Sequence, residues 1–261
     1  MAPLEVATIA PTSIKRSMPK DFFQPSSQRQ RLPPPDCAPE ERETVPGLTL
    51  LTDFVSEAEQ TALLQFLDSP ACAWRTDLSR RTMHFGGTYC LYRRDDGSSS
   101  NGGGRAAAAP EILQAPPMPA AFDWLLARLV ARDVVRADAP PTHCIVNEYR
   151  RGQGISAHTE SFAFASPVVG LSLLAACPMR FRELERAFDG SVRSGKAGEA
   201  PRTGRVVDVA LPARSLLVMG GEARWRWQHE IVKSKRGRGD EWRRVSLTFR
   251  VKVPAEEGKG T

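Results

Sequence analysis

The chain has 261 residues, 41% hydrophobic and 25% charged, and its 36 Lys and Arg outnumber 30 Asp and Glu for a formal net charge of +6. That length suits one domain with a tail, since single all-β barrels commonly run to about 200–250 residues. No run approaches the roughly 18 consecutive apolar residues of a membrane span, and the start MAPLEVATIA lacks a charged segment followed by a long apolar stretch; neither a span nor a secretory signal is expected, and the protein reads as intracellular, cytoplasmic or nuclear.

Residues 1–45 carry six basic and six acidic side chains, so the positive excess lies in the remainder. This segment is rich in Pro, Ser and Gln, with PPP at 33–35, and reads as a disordered tail, as do residues 255–261. After Pro46, Leu48 to Val55 reads as a strand. Ser56 and Glu59 then form a capping box that opens a helix running to about Asp68, with Leu63, Leu64, Phe66 and Leu67 as its apolar side. The five cysteines, Cys37, Cys72, Cys90, Cys144 and Cys177, include no Cys-x-x-Cys pair, so free thiols are expected rather than disulfides or a zinc site.

From Trp74 to Arg94, Arg75, Arg80, Arg81, Arg93 and Arg94 interleave with Trp74, Phe85, Tyr89 and Tyr92, and His84 lies among them. Aromatic stacking combined with arginine–phosphate contacts is what holding an exposed nucleotide requires. The same pattern also suits a hairpin with core aromatics and a wetted charged face. Asp95 to Ala109, DDGSSSNGGGRAAAA, reads as a flexible insertion. A second helix is expected over Pro119 to Val135, with Phe122, Leu125, Leu126, Leu129 and Val130 on one side. Strands are expected at Thr142–Tyr149, Val168–Ala175, Met179–Arg182, Val206–Leu211, Ser215–Met219 and Arg244–Val253. Short strands at regular spacing behind two helices point to a closed or double-sheet β fold with supporting helices. Lys233 to Arg238, KSKRGR, adds a basic stretch that is expected at the entrance of the site and would steer an anionic polymer.

The chemistry concentrates in two stretches. In Arg244 to Val253, Arg244, Ser246, Thr248 and Arg250 share one face and Val245, Leu247, Phe249 and Val251 the other. Two arginines six apart stand about 20 Å apart on a strand, and side chains reaching about 6 Å each leave a gap of the order of a short dicarboxylate, whose ends suit fork-shaped donors. In His143 to Glu160, Ile145, Asn147 and Tyr149 share a face, Gly152 and Gly154 mark a turn, and His158 and Glu160 point the same way. With His229 far downstream, these are the parts of a 2-His-1-carboxylate site for non-heme Fe(II) with open coordination positions. His143, at a strand start, reads as a packing or capping residue.

On these residues the chain resembles the AlkB-type Fe(II)/2-oxoglutarate dioxygenases over about Pro46 to Pro254. The wording is nearest the oxygenase module of tRNA wobble-uridine hydroxylases, through His84-Phe85-Gly86, Asn147-x-Tyr149-x-x-Gly152-Gln153-Gly154-Ile155 and Ser215 to Met219. The resemblance implies a double-stranded β-helix, or jelly roll, with iron held by His158, Glu160 and His229. By the same likeness 2-oxoglutarate is bound by Arg244 and Arg250, with Asn147, Tyr149 and Ser246 around it, and O2 is the oxidant. It also implies a lid over the target base at about 74–94, with Arg81, His84, Phe85, Tyr89 and Tyr92 as substrate contacts, and Arg224, on a family motif, bracing the site or touching substrate. Two departures stand out: Glu160 replaces the family's aspartate, adding a methylene, and Ser246 stands where an asparagine is common. The implied function is hydroxylation or oxidative demethylation of a modified base in nucleic acid, RNA favoured over DNA. The competing readings are a catalytically weakened RNA-binding module and a protein side-chain oxygenase. A monomer is expected, served by a separate RNA-binding or methyltransferase partner.

Overall fold

A computed structural model describes residues 45–91, 111–188 and 200–253. The proposed tails, the glycine-rich insertion, Cys37, Tyr92, Arg93 and Arg94 lie outside these residues. The described residues form twelve strands and three α-helices: β1 (Leu48–Leu51), α1 (Glu57–Leu67), β2 (Arg81–Phe85), β3 (Thr88–Leu91), β4 (Glu111–Gln114), α2 (Asp123–Ala131), β5 (His143–Arg150), β6 (Ile155–His158), β7 (Val168–Leu174), β8 (Cys177–Leu184), β9 (Arg202–Leu211), β10 (Leu216–Met219), α3 (Gly221–Trp225), β11 (Trp227–Ile231) and β12 (Arg243–Arg250). A six-stranded sheet runs β1-β10-β7-β12-β5-β2, a four-stranded sheet runs β6-β11-β8-β9, and β3 and β4 form a separate pair. Every pairing is antiparallel, and the two larger sheets enclose a cavity between them, the arrangement of a jelly roll.

The position of β12 at the centre of the large sheet explains its alternation. One face places Val245, Leu247 and Phe249 at 0% exposure in the main core, with Val146, Leu171 and the helix residues Leu63, Leu67, Phe122, Leu125 and Leu129. Burying each such side chain stabilises by about 1.5–3 kcal/mol, which fixes the register of the strand. The opposite, polar face is therefore forced toward the second sheet and into the cavity. Helix α1 opens as expected: the Glu59 amide donates to Ser56 Oγ at 3.2 Å and the Ser56 amide to Glu59 Oε2 at 2.8 Å.

Three expectations need correction. The first strand stops at Leu51, because Asp53 turns the chain with φ 46° and the Phe54 amide donates to Arg214 O at 2.9 Å. The second helix begins only at Asp123, behind a 3-10 turn at Ala120–Phe122, and Asp133 with φ 53° prevents its continuation to Val135. Strands β6 and β11, not anticipated, carry the histidines. Gly154 lets β6 approach β11: a Cβ there would sit 2.2 Å from Ile231 O. Cys72, Cys90, Cys144 and Cys177 are all free thiols, and no helix among the described residues is long and apolar enough to cross a membrane.

Candidate active site

Strands β6 and β11 pair with His158 opposite His229. Glu160 follows two residues beyond His158, and one donor atom from each of the three lies within 4.8 Å of the others. Glu160 and His229 are 6% and 5% exposed. His158 Nδ1 lies 2.8 Å from Ser156 O, and since a carbonyl only accepts, Nδ1 carries the proton and Nε2 keeps its lone pair. Burial, followed by the neighbouring His229, pushes the pKa of His158 down to about 4, which keeps the imidazole neutral. A neutral imidazole, a second imidazole and a buried carboxylate make a donor set suited to Fe(II).

Glu160 is held from behind. Arg250 Nε donates to its Oε2 at 2.7 Å and Arg250 Nη2 to its Oε1 at 3.0 Å, while Oε1 lies 3.5 Å from His229 Nε2. Burial alone would raise the Glu160 carboxyl, but Arg250 and His229 outweigh it and hold it well below the usual carboxylate range. Arg250, expected to bind a cosubstrate carboxylate, thus spends its fork on the ligand residue. Its Nη1 is buried without a partner and is the nitrogen left for a bound oxygen.

Arg244 differs. It is 2% exposed, Nη2 donates to Ser172 Oγ at 2.9 Å, the guanidinium lies 5.4 Å from the Tyr149 ring centroid, and Nε has no partner. No carboxylate among the described residues pairs with it, and burial lowers its pKa against the smaller opposing effects of Tyr149 and Cys177. Arg244, Ser246, Thr248 and Arg250 share the wall of a cavity of about 530 Å3, open mouth included, with Asn147, Tyr149, Ser172, His158, Glu160 and His229. Ser172 was not singled out by sequence reasoning, and Thr248 was placed on the polar face of its strand without a role. Ser172 lies in the otherwise apolar run of β7, where only its pairing opposite Ser246 reveals it.

The residues named for substrate contact separate on inspection. Phe85 is 7% exposed and packs edge-on against Phe122 at 5.6 Å; it is a core residue, placed there by the alternation of β2. Tyr89 is 4% exposed, and its hydroxyl donates to Phe85 O at 2.7 Å and Cys144 O at 3.0 Å, so it too is internal. Arg81 pairs with the buried Glu148 and lies over Trp74 at 4.6 Å; Glu148 alternates with the cavity residues Asn147 and Tyr149 and so faces away from them. Phe85 and Tyr89 are thus packing residues, and Arg81 is held on the face away from the cavity. His84 is half-buried, packed on Tyr89 at 4.8 Å, and its Nδ1 has no partner. The basic stretch 233–238 lies toward the start of β12. The Gly152 amide donates to Ser234 O at 3.0 Å, and Arg238 lies 4.1 Å from the Trp242 ring, at the Arg244 end of β12 and away from the Arg250 end beside the histidines.

Burial, then the charges of Arg75 and Arg250, push the pKa of His84 down to about 4 from 6.5. Between those values the unfolded chain takes up the proton that the folded chain refuses, so stability is full above pH 6.5 and falls as pH drops toward 4. Urea unfolding of His84→Phe at pH 7 and 4.5 should therefore show a smaller acid-side loss than the parent.

Arg224 braces the site and touches no open space. At 2% exposure it donates through Nη1 to Glu160 O at 3.1 Å and through Nη2 to Ser161 O at 2.7 Å and Phe164 O at 2.9 Å, stitching α3 to the loop that carries Glu160. Burial pushes its pKa down to about 10. Arg224→Ala strands three carbonyls, each lost bond costing about 1–3 kcal/mol. Titration with Mn(II) should show metal affinity falling at least tenfold, with a lowered melting temperature.

The profile of the 2OG-Fe(II) oxygenase superfamily matches residues 47–250. The chain belongs to the 2OG-Fe(II) oxygenase superfamily. Within it the relatives are of AlkB type. The "Alkylated DNA repair protein ALKBH8 homolog" of Arabidopsis thaliana is 33% identical over 231 residues, covering 82% of this chain and 62% of that protein. The "tRNA (carboxymethyluridine(34)-5-O)-methyltransferase alkbh8" of Xenopus tropicalis is 28% identical over 193 residues, covering 73% of this chain and 26% of that protein. The chain thus spans less than two thirds of the length of either relative. The fold agrees with the solved structure of OsALKBH1, at TM-score 0.51 and 20% identity over 78% of this chain and 98% of that one. Membership of this 2OG-Fe(II) superfamily implies Fe(II), 2-oxoglutarate and O2, and the His158, Glu160, His229 cluster fits the metal.

Proposed function

We propose that this chain is an Fe(II)- and 2-oxoglutarate-dependent dioxygenase that hydroxylates or oxidatively demethylates a modified base in nucleic acid, with tRNA favoured over DNA. The observation that carries the cosubstrate is Arg244: an internal guanidinium with no carboxylate partner among the described residues and an idle Nε is costly unless an anion completes it. In this reading His158, Glu160 and His229 hold the metal. Arg244 and the Ser172 hydroxyl take the far carboxylate of 2-oxoglutarate. Asn147, Tyr149 and Ser246 line its path, and Arg250 keeps the Glu160 carboxylate ionised and aimed. Iron and 2-oxoglutarate together supply oxidising power, converting 2-oxoglutarate and O2 to succinate and carbon dioxide as an oxygen atom passes to substrate. The protein's own work is to bind, orient and shield. Nucleic acid is favoured by the relatives named for alkylated DNA repair and for tRNA and by the net charge of +6. The proposal includes a monomer that relies on a separate RNA-binding or methyltransferase partner.

The test is succinate formation by purified protein with Fe(II), ascorbate and 2-oxoglutarate, alone and with total tRNA, methylated DNA oligonucleotides or a peptide pool. Stimulation by tRNA above the other two is expected; stimulation by peptides alone would replace this reading with a protein side-chain oxygenase. A second reading draws on the Arg250 fork, which occupies both oxygens of Glu160. If that grip outcompetes iron, the protein is a weakened enzyme that binds RNA, and the same assay would give no succinate while RNA is retained.

A further inference from the structure

Arg80, read from sequence only as one of several arginines suited to phosphate, is the residue just before β2 that reaches across to the cavity wall. Its Nε donates to Asn147 Oδ1 at 2.8 Å. Its neighbours Arg75 and Arg81 are each neutralised, Arg75 by Asp77 and Glu111 and Arg81 by Glu148, whereas no described carboxylate pairs with Arg80. Its charge is felt by Tyr149, a second cavity residue, and by His84. An asparagine amide can turn either its oxygen or its nitrogen to a given neighbour, and a guanidinium offers donors only. Arg80 therefore fixes Oδ1 upon itself and leaves Nδ2, which donates to no described residue, for whatever fills the cavity that Asn147 lines. A charge-assisted bond to the oxygen also polarises the amide and strengthens its N–H donors.

We propose that Arg80 is a positioning residue for the cosubstrate: through Asn147 it presents an oriented amide donor to 2-oxoglutarate, and it thereby ties the segment before β2 to the cosubstrate's place. The inference rests on the reading of the cavity as a 2-oxoglutarate site. Calorimetric titration of 2-oxoglutarate into full-length protein loaded with redox-inert Mn(II) tests it without turnover. Arg80→Met should weaken binding about five- to tenfold, the worth of one ordinary net hydrogen bond. Arg80→Lys should restore part of it, and the melting temperature of the metal-free protein should be unchanged. In an Asn147→Ala background, Arg80→Met should cost nothing further, because the amide it orients is gone. Equal binding by Arg80→Met and parent, or full additivity with Asn147→Ala, would overturn the inference and leave the cosubstrate assignment standing. Absence of binding by the parent protein would overturn both.

Discussion

Replacing Arg244 with methionine should remove 2-oxoglutarate binding and yield a protein that melts no lower than its parent. The two halves of this result have one cause. In the ligand-free protein the guanidinium is enclosed with one hydroxyl partner, an aromatic ring and an idle Nε, and burial works against its charge. Replacing an uncompensated internal cation by an apolar chain of similar length removes a desolvation cost and keeps the packing, so the fold gains or is unchanged. With 2-oxoglutarate bound the balance reverses, since the far carboxylate loses the guanidinium that would receive it. Truncating one member of an enclosed, hydrogen-bonded charge pair costs about 2–5 kcal/mol, or roughly thirty- to several-thousand-fold in affinity. Differential scanning fluorimetry with and without 2-oxoglutarate and Mn(II) checks both halves together. A variant that melts well below the parent, or that still binds 2-oxoglutarate normally, would remove Arg244 from the site.

Breaking the pair between Glu160 and Arg250 should have the opposite effect on stability. Here each charge satisfies the other at 2.7 Å and 3.0 Å within the protein. Glu160→Ala leaves Arg250 enclosed and alone, which costs about 3–5 kcal/mol, or about 6–20 °C in melting temperature for a domain near 200 residues. Mn(II) should not rescue this variant, because its carboxylate ligand is gone. Arg250→Met should be destabilised comparably when metal-free and then recover more on adding Mn(II) than the parent does, because the ion neutralises the orphaned Glu160. Glu160→Asp separates the two duties of the side chain. An arm shorter by one methylene cannot keep the full fork with Arg250, so the metal-free protein should melt lower and, with one oxygen released, bind Mn(II) more tightly. Weaker Mn(II) binding would instead show that the longer arm is required to reach the ion.

What the sequence conveyed, and what it hid, follows from how far each pattern is local. The run Arg244 to Arg250 announced its two faces because period-2 alternation needs no knowledge of partners, and Val245, Leu247 and Phe249 lie in the core as that pattern requires. The capping box at Ser56 and Glu59 was equally local. Strands β6 and β11 were not legible, because Ile155 to His158 and Trp227 to Ile231 are short and mixed in polarity and become strands through pairing with each other and with β8. The segment from Arg75 to Tyr89 misled for a related reason. Composition cannot distinguish a stacking aromatic from a core one, and the turn at Gly86 and Gly87, with φ 89° and 124°, brings Tyr89 back under β2. A shift of one residue exchanges the faces of a strand, which is why Arg81 meets Glu148 while Arg80 meets Asn147. The Arg250 to Glu160 fork could not be anticipated from two residues 90 positions apart.

The central claim is that three side chains from β6, its following loop and β11 grip one ion while Arg244 receives an anion. Crystals grown with Mn(II) and 2-oxoglutarate, measured for anomalous scattering, test it most directly. The account predicts a single strong peak bonded to His158, Glu160 and His229, with one 2-oxoglutarate carboxylate on Arg244. A peak elsewhere, or Glu160 still locked in the Arg250 fork with no ion beside it, would contradict it.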